Sequence, residues 1–307
     1  MTPLISICIP AYKHPAFLER LLESILIQTF TDYEVICSDD TPGDELNELV
    51  KKYEGKLAIQ YVHNSPALGS PANWNRAISL AKGKWIKLMH GDDWFASKDA
   101  LLRFANAAKQ DSCDFIFSGY NLVADKTVLK TKITSKKDIT HLRNNPLWLF
   151  KENFVGSPST ILVRNNRTNW YDSNLKWVVD FEFYYWLMKE GSFISIDEAL
   201  INIGYGSHQI TSQVFRQRDV EIPENIYMLN KMGVKILDDI VVYDYYWRIF
   251  RNLNIRTLDE VTTHLKENIL PERIINLLKF QIKLKLSWLK NGFFSKFFMF
   301  ISYLSNR

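Results

Sequence analysis

The sequence predicts an α/β fold on a mostly parallel, doubly wound sheet, followed by a helical C-terminal extension. Two observations carry this. Over about the first 95 residues the apolar positions switch repeatedly between a period of two and a period near 3.6, which marks strands alternating with helices. Beyond residue 215 strand-like spacing disappears and helical spacing runs to the end. The 307 residues, 47% of them hydrophobic, supply ample material for a core.

The elements follow in order. Residues 4–10 alternate, with Ile5, Ile7 and Ile9 on one face, and form the first strand; Phe17, Leu18, Leu21, Leu22, Ile25 and Leu26 then mark a helix. A second strand at 34–38 precedes a helix marked by Leu46, Leu49, Val50 and Tyr53, and a third strand covers 57–63. Ser70-Pro71 reads as a helix start, with a hydroxyl at the N-cap and proline at the first position; the helix continues through Trp74, Ala77, Ile78 and Ala81 to Gly83. The fourth strand is 84–89. Further on come a helix at 99–109, a strand at 114–120, a lysine-rich surface loop at 126–138, a short strand ending at Val163, an aromatic helix at 180–189 and a strand at 193–196.

Composition narrows the function classes. The three cysteines, Cys8, Cys37 and Cys113, are far apart in apolar runs, so buried thiols in a reducing compartment are expected rather than a disulfide framework or zinc site. The N-terminus has no signal-peptide pattern, so the mature chain is expected to start near Met1. No apolar stretch approaches the roughly 20 residues that span a bilayer. A net charge of +4 does not suggest nucleic acid as a partner. The charge is unevenly placed, however: after Glu272 no acidic residue occurs, and lysines sit among aromatic residues to the end.

The strongest chemical signal is at residues 85–95, where an apolar strand ends in Gly91-Asp92-Asp93. Adjacent carboxylates at a strand end suit a hard divalent cation, although Gly-Asp-Asp is also good turn chemistry. In doubly wound sheets ligands bind beyond the carboxyl ends of the strands, so Asp39-Asp40 and Asp92-Asp93 are expected to face one cleft. The segment after the first strand, Pro10-Ala-Tyr-Lys-His-Pro15, has neither a dinucleotide glycine fingerprint nor a P-loop. Neutralising a diphosphate would then fall to a metal or to basic side chains.

Residues 5–12 (Ile-Ser-Ile-Cys-Ile-Pro-Ala-Tyr), Leu21-Leu22 with Gln28-Thr29-Phe30, Asp32-Tyr-Glu-Val-Ile36, Asp39-Asp40, Asn73-Trp-Asn-Arg-Ala-Ile78 and Gly91-Asp92-Asp93 together closely resemble the opening of family 2 glycosyltransferases of the GT-A fold. The resemblance is strong over 4–95 and thinner to about 215. It implies a catalytic domain over 1–215, with a nucleotide-sugar-binding half at 1–98 and an acceptor-binding half at 99–215, and a helical region at 216–307. It implies that Asp40 accepts a hydrogen bond from the donor's base, that Asp92 meets the donor sugar or ribose, and that Asp93 ligates Mg2+ or Mn2+. Pro10, Tyr12, Asn73 and Arg76 fall on the donor side, Tyr12 as a stacking surface for the base. His208 falls where related enzymes carry a histidine reaching the metal or diphosphate; a surface-loop histidine is the plain alternative. The wording Ser38-Asp39-Asp40-Thr-Pro-Gly departs from the family's usual Asp-Asp-Gly-Ser, which bears on base selectivity.

The same resemblance places the general base at Asp180, with Glu182 as a rival on another helix face, and puts Ser157 and Ser159 on the acceptor side. Asp180 at a helix N-terminus would favour the anion, and the same residue reads equally as a helix cap. Taken together these readings imply an inverting, metal-dependent transferase of nucleotide diphosphate sugars, a UDP-sugar favoured, acting on a glycan or lipid-linked acceptor in O-antigen, capsule or related polysaccharide synthesis. A cytoplasmic location is expected, peripheral at the inner face of the plasma membrane if the basic, aromatic tail lies on anionic lipid. A helical pair closing the catalytic domain, or a dimer face, explains that tail as well. A non-catalytic nucleotide- or glycan-binding partner, or a nucleotidyltransferase, could share the sheet. The first would need no base, and the second calls for a glycine-rich basic loop that residues 11–15 do not supply.

Overall fold

A computed structural model describes residues 2–206, 215–265 and 269–307, which divide into two compact units. The first comprises Met1–Asn144, Phe154–Ser173 and Val179–Ser207. Its nine-stranded sheet begins with β1 (Ile5–Ala11), β2 (Tyr33–Asp39), β3 (Ile59–His63) and β4 (Trp85–Leu88), all parallel and ordered β3-β2-β1-β4. β1 reads Ile-Ser-Ile-Cys-Ile because both faces are covered, and all five of those residues have no solvent exposure. The connecting helices are α1 (Pro15–Leu26), α2 (Glu45–Lys51) and α3 (Ala72–Ser79). Leu18, Leu21, Leu22 and Ile25 of α1 join Ile5, Ile7 and Ile9 in one core.

The register sets the chemistry-bearing edge. Ala11 is paired with Asp39, and Asp39 with His63, so β1, β2 and β3 end together. The loops bearing Tyr12, Asp40 and residues 64–69 therefore leave the sheet side by side.

The rest of the sheet is mixed. β8 (Ile161–Arg164) runs antiparallel between β4 and β6 (Phe115–Ala124); β9 (Phe193–Gly204) is parallel to β6 and antiparallel to β5 (Trp94–Phe95). α4 (Ala100–Ala108), α5 (Lys136–Asn144) and α6 (Val179–Glu190) complete the unit.

Three local expectations are corrected. The 126–138 stretch is not a loop: β7 (Thr127–Lys132) forms a hairpin with β6, and α5 starts at Lys136. β7 pairs only with β6 and is exposed on both faces, so it carries no alternation to read. β9 is twelve residues long, its polar Asp197 and Glu198 lying where its register with β6 shifts around Gly119. Ser70 does not cap α3; Pro71 takes the cap position, and Asn73 N–H donates to the Gly69 carbonyl instead.

The second unit comprises Asn145–Asn153, Asn174–Val178 and His208–Arg307. Its helices are α7 (Arg218–Met232), α8 (Ile240–Asn252), α9 (Asp259–Thr262), α10 (Glu272–Gln281), α11 (Leu286–Lys290) and α12 (Gly292–Ser305). Tyr243, Tyr246, Trp247 and Phe250 of α8 are buried at its centre with Leu277 and Leu278 of α10. Among the described residues no helix is long and apolar enough to cross a membrane. All three cysteines are free and buried.

Candidate active site

At the ends of β1 to β3 the side chains tie neighbouring loops together. Asp40 is buried, and its carboxylate accepts from Asn64 Nδ2 (2.9 Å), Leu68 N–H (3.1 Å) and Gly69 N–H (2.8 Å). Three of about four lone-pair sites are thus taken by the loop after β3. Asp39 accepts from Thr41 N–H and from the Tyr61 hydroxyl. Asn73, also buried, accepts from Asn64 and donates to the Ala11 carbonyl. Pro10 lies near the end of β1; Tyr12 and Arg76 are exposed, Tyr12 at 54%. Lys13 and His14 both adopt left-handed backbone (φ 55° and 53°), a costly conformation for non-glycine residues. Lys13 N–H donates to Thr41 there, and the Lys13 ammonium sits 4.8 Å from the Tyr12 ring centroid.

The acidic turn follows β4. Met89 N–H donates to Cys8, continuing the β1–β4 pairing, and Asp93 N–H returns to the His90 carbonyl, closing the turn. Asp93 is buried at 2% exposure; one carboxylate oxygen accepts from Gly204 N–H and the other from the Ser157 hydroxyl, both at 3.2 Å. Burial, and next the charge of Asp92, push the Asp93 carboxyl well above the usual range. Arg20 of α1 brings positive charge to the turn: it reaches over the Trp94 ring at 3.6 Å and donates to the Asp92 carbonyl at 2.7 Å.

His90, Asp92 and Asp93 each offer a ligand atom, and those atoms lie within 4.8 Å of one another. The His90 ring packs 4.7 Å from that of Trp74. Among the described residues, however, its Nε2 is buried without a hydrogen-bond partner. Burial also lowers the His90 pKa, against the pull of Asp92, so the ring is neutral and holds a lone pair. Two carboxylates, one of them driven towards its protonated form, and an orphaned imidazole nitrogen make a donor set suited to a divalent cation. The residues fit Mg2+ or Mn2+. His208 lies outside the described residues.

The segment at 156–160 sits against this turn. Gly156 has φ 101°, and a Cβ there would fall 2.7 Å from the Tyr120 ring, so only glycine fits. Ser157 reaches Asp93, whereas Ser159 is fully buried with its Oγ accepting from His90 N–H. The Ser159 hydroxyl therefore lies beneath the acidic turn, not on a surface an acceptor would touch. Beneath it lies Lys87, which sequence reasoning passed over. Its ammonium is fully buried, donates to the Ser159 and Ile161 carbonyls, and lies 4.6 Å from the centre of the Phe104 ring.

Asp180 is in the first turn of α6, its Oδ1 accepting from Phe181 N–H at 2.7 Å. The helix terminus was expected to favour the anion. Burial outweighs it: the carboxyl is pushed up to about 6, with the backbone hydrogen bonds acting the other way. Glu182 is buried and accepts from the Trp186 indole N–H, so it faces packing. Tyr184, on the same helix, donates to the Gly156 carbonyl at 3.2 Å. α6 is thereby joined through the 156–160 segment to Asp93. Asn75 adds a cross-tie, exchanging hydrogen bonds with the backbone of Tyr171.

The residues that match are as informative as their geometry. The profile of the family described as "Glycosyl transferase family 2" matches residues 6–166, more than half of the chain. The chain belongs to this family. As a family 2 glycosyltransferase it is 28% identical over 248 residues to a poly(ribitol-phosphate) beta-glucosyltransferase of Bacillus spizizenii, a match covering 73% of this chain and 39% of the relative. The chain thus spans about two-fifths of that protein. It is 24% identical over 219 residues to a putative teichuronic acid biosynthesis glycosyltransferase, TuaG, of Bacillus subtilis, covering 70% of this chain and 84% of the other. Among solved structures, the transferase resembles S. aureus TarS in complex with UDP-GlcNAc, with TM-score 0.67, 18% identity, and coverage of 98% and 90%. It also resembles the mannosyltransferase PcManGT of Pyrobaculum calidifontis, solved with GDP-Man and Mn2+, with TM-score 0.57, 13% identity, and coverage of 100% and 86%. Both likenesses bear on the fold, which is the GT-A arrangement.

Proposed function

We propose that this glycosyltransferase moves one sugar from a nucleotide diphosphate donor to a hydroxyl of a glycan or lipid-linked acceptor, with inversion, in bacterial surface polysaccharide assembly. The observation that carries the reading is the pairing, within one unit, of the converging His90, Asp92 and Asp93 cluster with a separately raised carboxyl at Asp180. The catalytic region in this reading is 1–215. A UDP-sugar is the favoured donor, in keeping with the UDP-GlcNAc and UDP named for TarS structures.

Asp93 and Asp92, with His90, would hold Mg2+ or Mn2+, which when bound supplies positive charge for the departing diphosphate. The donor's base would lie at the β1–β3 edge, near Tyr12, Asn73 and Arg76, with Asp40 holding the loop at 64–69 against it. Asp180 takes the proton from the acceptor hydroxyl as that oxygen bonds to the anomeric carbon and the carbon–oxygen bond to the diphosphate breaks. A carboxyl with pKa about 6 is ionised at neutral pH yet more basic than an ordinary aspartate, which suits that task. Inversion requires this base and the leaving group to act from opposite faces of the sugar.

The test is release of nucleoside diphosphate from a panel of nucleotide sugars with Mn2+ or Mg2+, with and without chelator. Turnover of one donor that needs metal and is lost in Asp93→Ala supports the reading. Nucleotide binding at every candidate concentration without metal-dependent turnover, even with an acceptor glycan supplied, refutes it.

A further inference from the structure

Helix α12 is amphipathic in the inverted sense. At 100° per residue, Phe293, Phe294, Phe297, Phe300, Ile301 and Leu304 fall within one arc of about 120°. All six are exposed, Phe293 at 76% and Leu304 at 54%. The inner side is partly polar: Ser295 accepts from the Trp247 indole, Ser302 pairs with the Tyr243 hydroxyl, and the Tyr303 hydroxyl donates to the Asp238 carbonyl. Hydrogen bonds thus fasten this helix to its unit while its apolar face is left outward. A continuous apolar stripe of this size marks an interaction surface.

The surrounding charge selects the partner. Lys283, Lys285, Lys290 and Lys296 are exposed around α11 and α12, and no acidic residue follows Glu272 in the sequence. Leu286 and Trp288 of α11 are exposed beside them, Trp288 stacked on Phe298 at 5.2 Å. A second copy docking by twofold symmetry would bring each cationic rim against its own image, which like-charge repulsion opposes. An apolar aromatic stripe flanked by exposed lysines matches an anionic lipid surface, where phenylalanines enter the acyl boundary and ammonium groups meet headgroup phosphates.

We propose that the outward face of α12, with the lysines of 283–296, seats this enzyme on anionic membranes, lying in the interface and not spanning it. The test is co-sedimentation of the full chain with vesicles of phosphatidylcholine plus phosphatidylglycerol, against phosphatidylcholine alone. The wild type is expected to pellet with the anionic vesicles, less so as salt is raised. The double variant Phe297→Ser, Phe300→Ser should bind at least about tenfold more weakly while melting at the same temperature, because both rings are exposed. Lys285→Gln with Lys290→Gln and Lys296→Gln should also weaken binding and flatten the salt dependence. Three results would overturn the proposal: wild type remaining in the supernatant with anionic vesicles, undiminished binding by the phenylalanine variant, or a dimer in solution that the phenylalanine variant dissolves. The assay contains no sugar nucleotide, so its outcome is independent of the transferase test.

Discussion

Replacing Asp180 by asparagine distinguishes a general base from a residue that only supports the first turn of α6, because stability and turnover should move in opposite directions. Asparagine keeps an oxygen able to accept from Phe181 N–H, so that first-turn hydrogen bond survives. What disappears is the ionisation. The carboxyl is raised from 3.8 to about 6 by burial, and at about 1.4 kcal/mol per pH unit the buried anion costs the fold about 3 kcal/mol. Because the folded-state value lies above the unfolded one, this penalty is fully present above about pH 6 and fades to nothing below about 3.8. Asp180→Asn should therefore be more stable than wild type by up to about 3 kcal/mol at neutral pH, a gain that vanishes on acidification. Urea denaturation at several pH values reads it. Turnover should fall by about 10²–10⁴-fold, and wild-type kcat should rise about tenfold per pH unit up to about 6 and then level. The neighbours that share this environment, Tyr171 and Tyr184, are both raised by burial and stay neutral across that range. A variant that is less stable than wild type, with turnover within about tenfold of it, would make Asp180 a structural residue of the helix start and sink the mechanism.

Three further outcomes are expected. Asp93→Ala should abolish Mn2+ binding in equilibrium dialysis and lower metal-dependent donor turnover by at least about 100-fold; retained metal affinity would place the ion elsewhere. His90→Phe keeps a ring against Trp74 but loses the nitrogen, so Mn2+ affinity should fall about tenfold or more with little change in melting temperature; unchanged affinity would mean the imidazole only packs. In Gly204→Ala the new Cβ would stand 2.5 Å from the Asp92 carbonyl oxygen, so a loss of about 1–3 kcal/mol in denaturant melts is expected, together with weaker Mn2+ binding. Wild-type behaviour in both would show that the turn can yield.

What the sequence made legible follows from which constraints are local. β1 to β4 announce themselves because buried parallel strands are unbroken apolar runs separated by amphipathic helices, and Asp92-Asp93 stands out because paired acids end such a run. β7 stayed hidden since an edge strand exposed on both faces needs no alternation. The supports of the acidic turn were invisible for another reason: Gly204 meets Asp93 across 111 residues, Arg20 meets Asp92 across 72, and Lys87 meets Ser159 across 72. A lysine within β4 carries no sign that two carbonyls await it. Asp180 was singled out through a family resemblance, whereas its raised pKa comes from burial that its place at a helix start does not announce.

The acidic turn is held mainly by its backbone: the Asp92 carbonyl by Arg20, Asp93 N–H by the His90 carbonyl, and His90 N–H by Ser159. None of these contacts depends on what the side chains at 90 and 92 are. In the proposed reading the turn therefore behaves as a socket whose pins can be exchanged: substitution at two positions would change which cation it holds without rebuilding the protein around them. Selection for a different metal, or for none, would leave its record at His90 and Asp92 while Arg20 and Ser159 stood still.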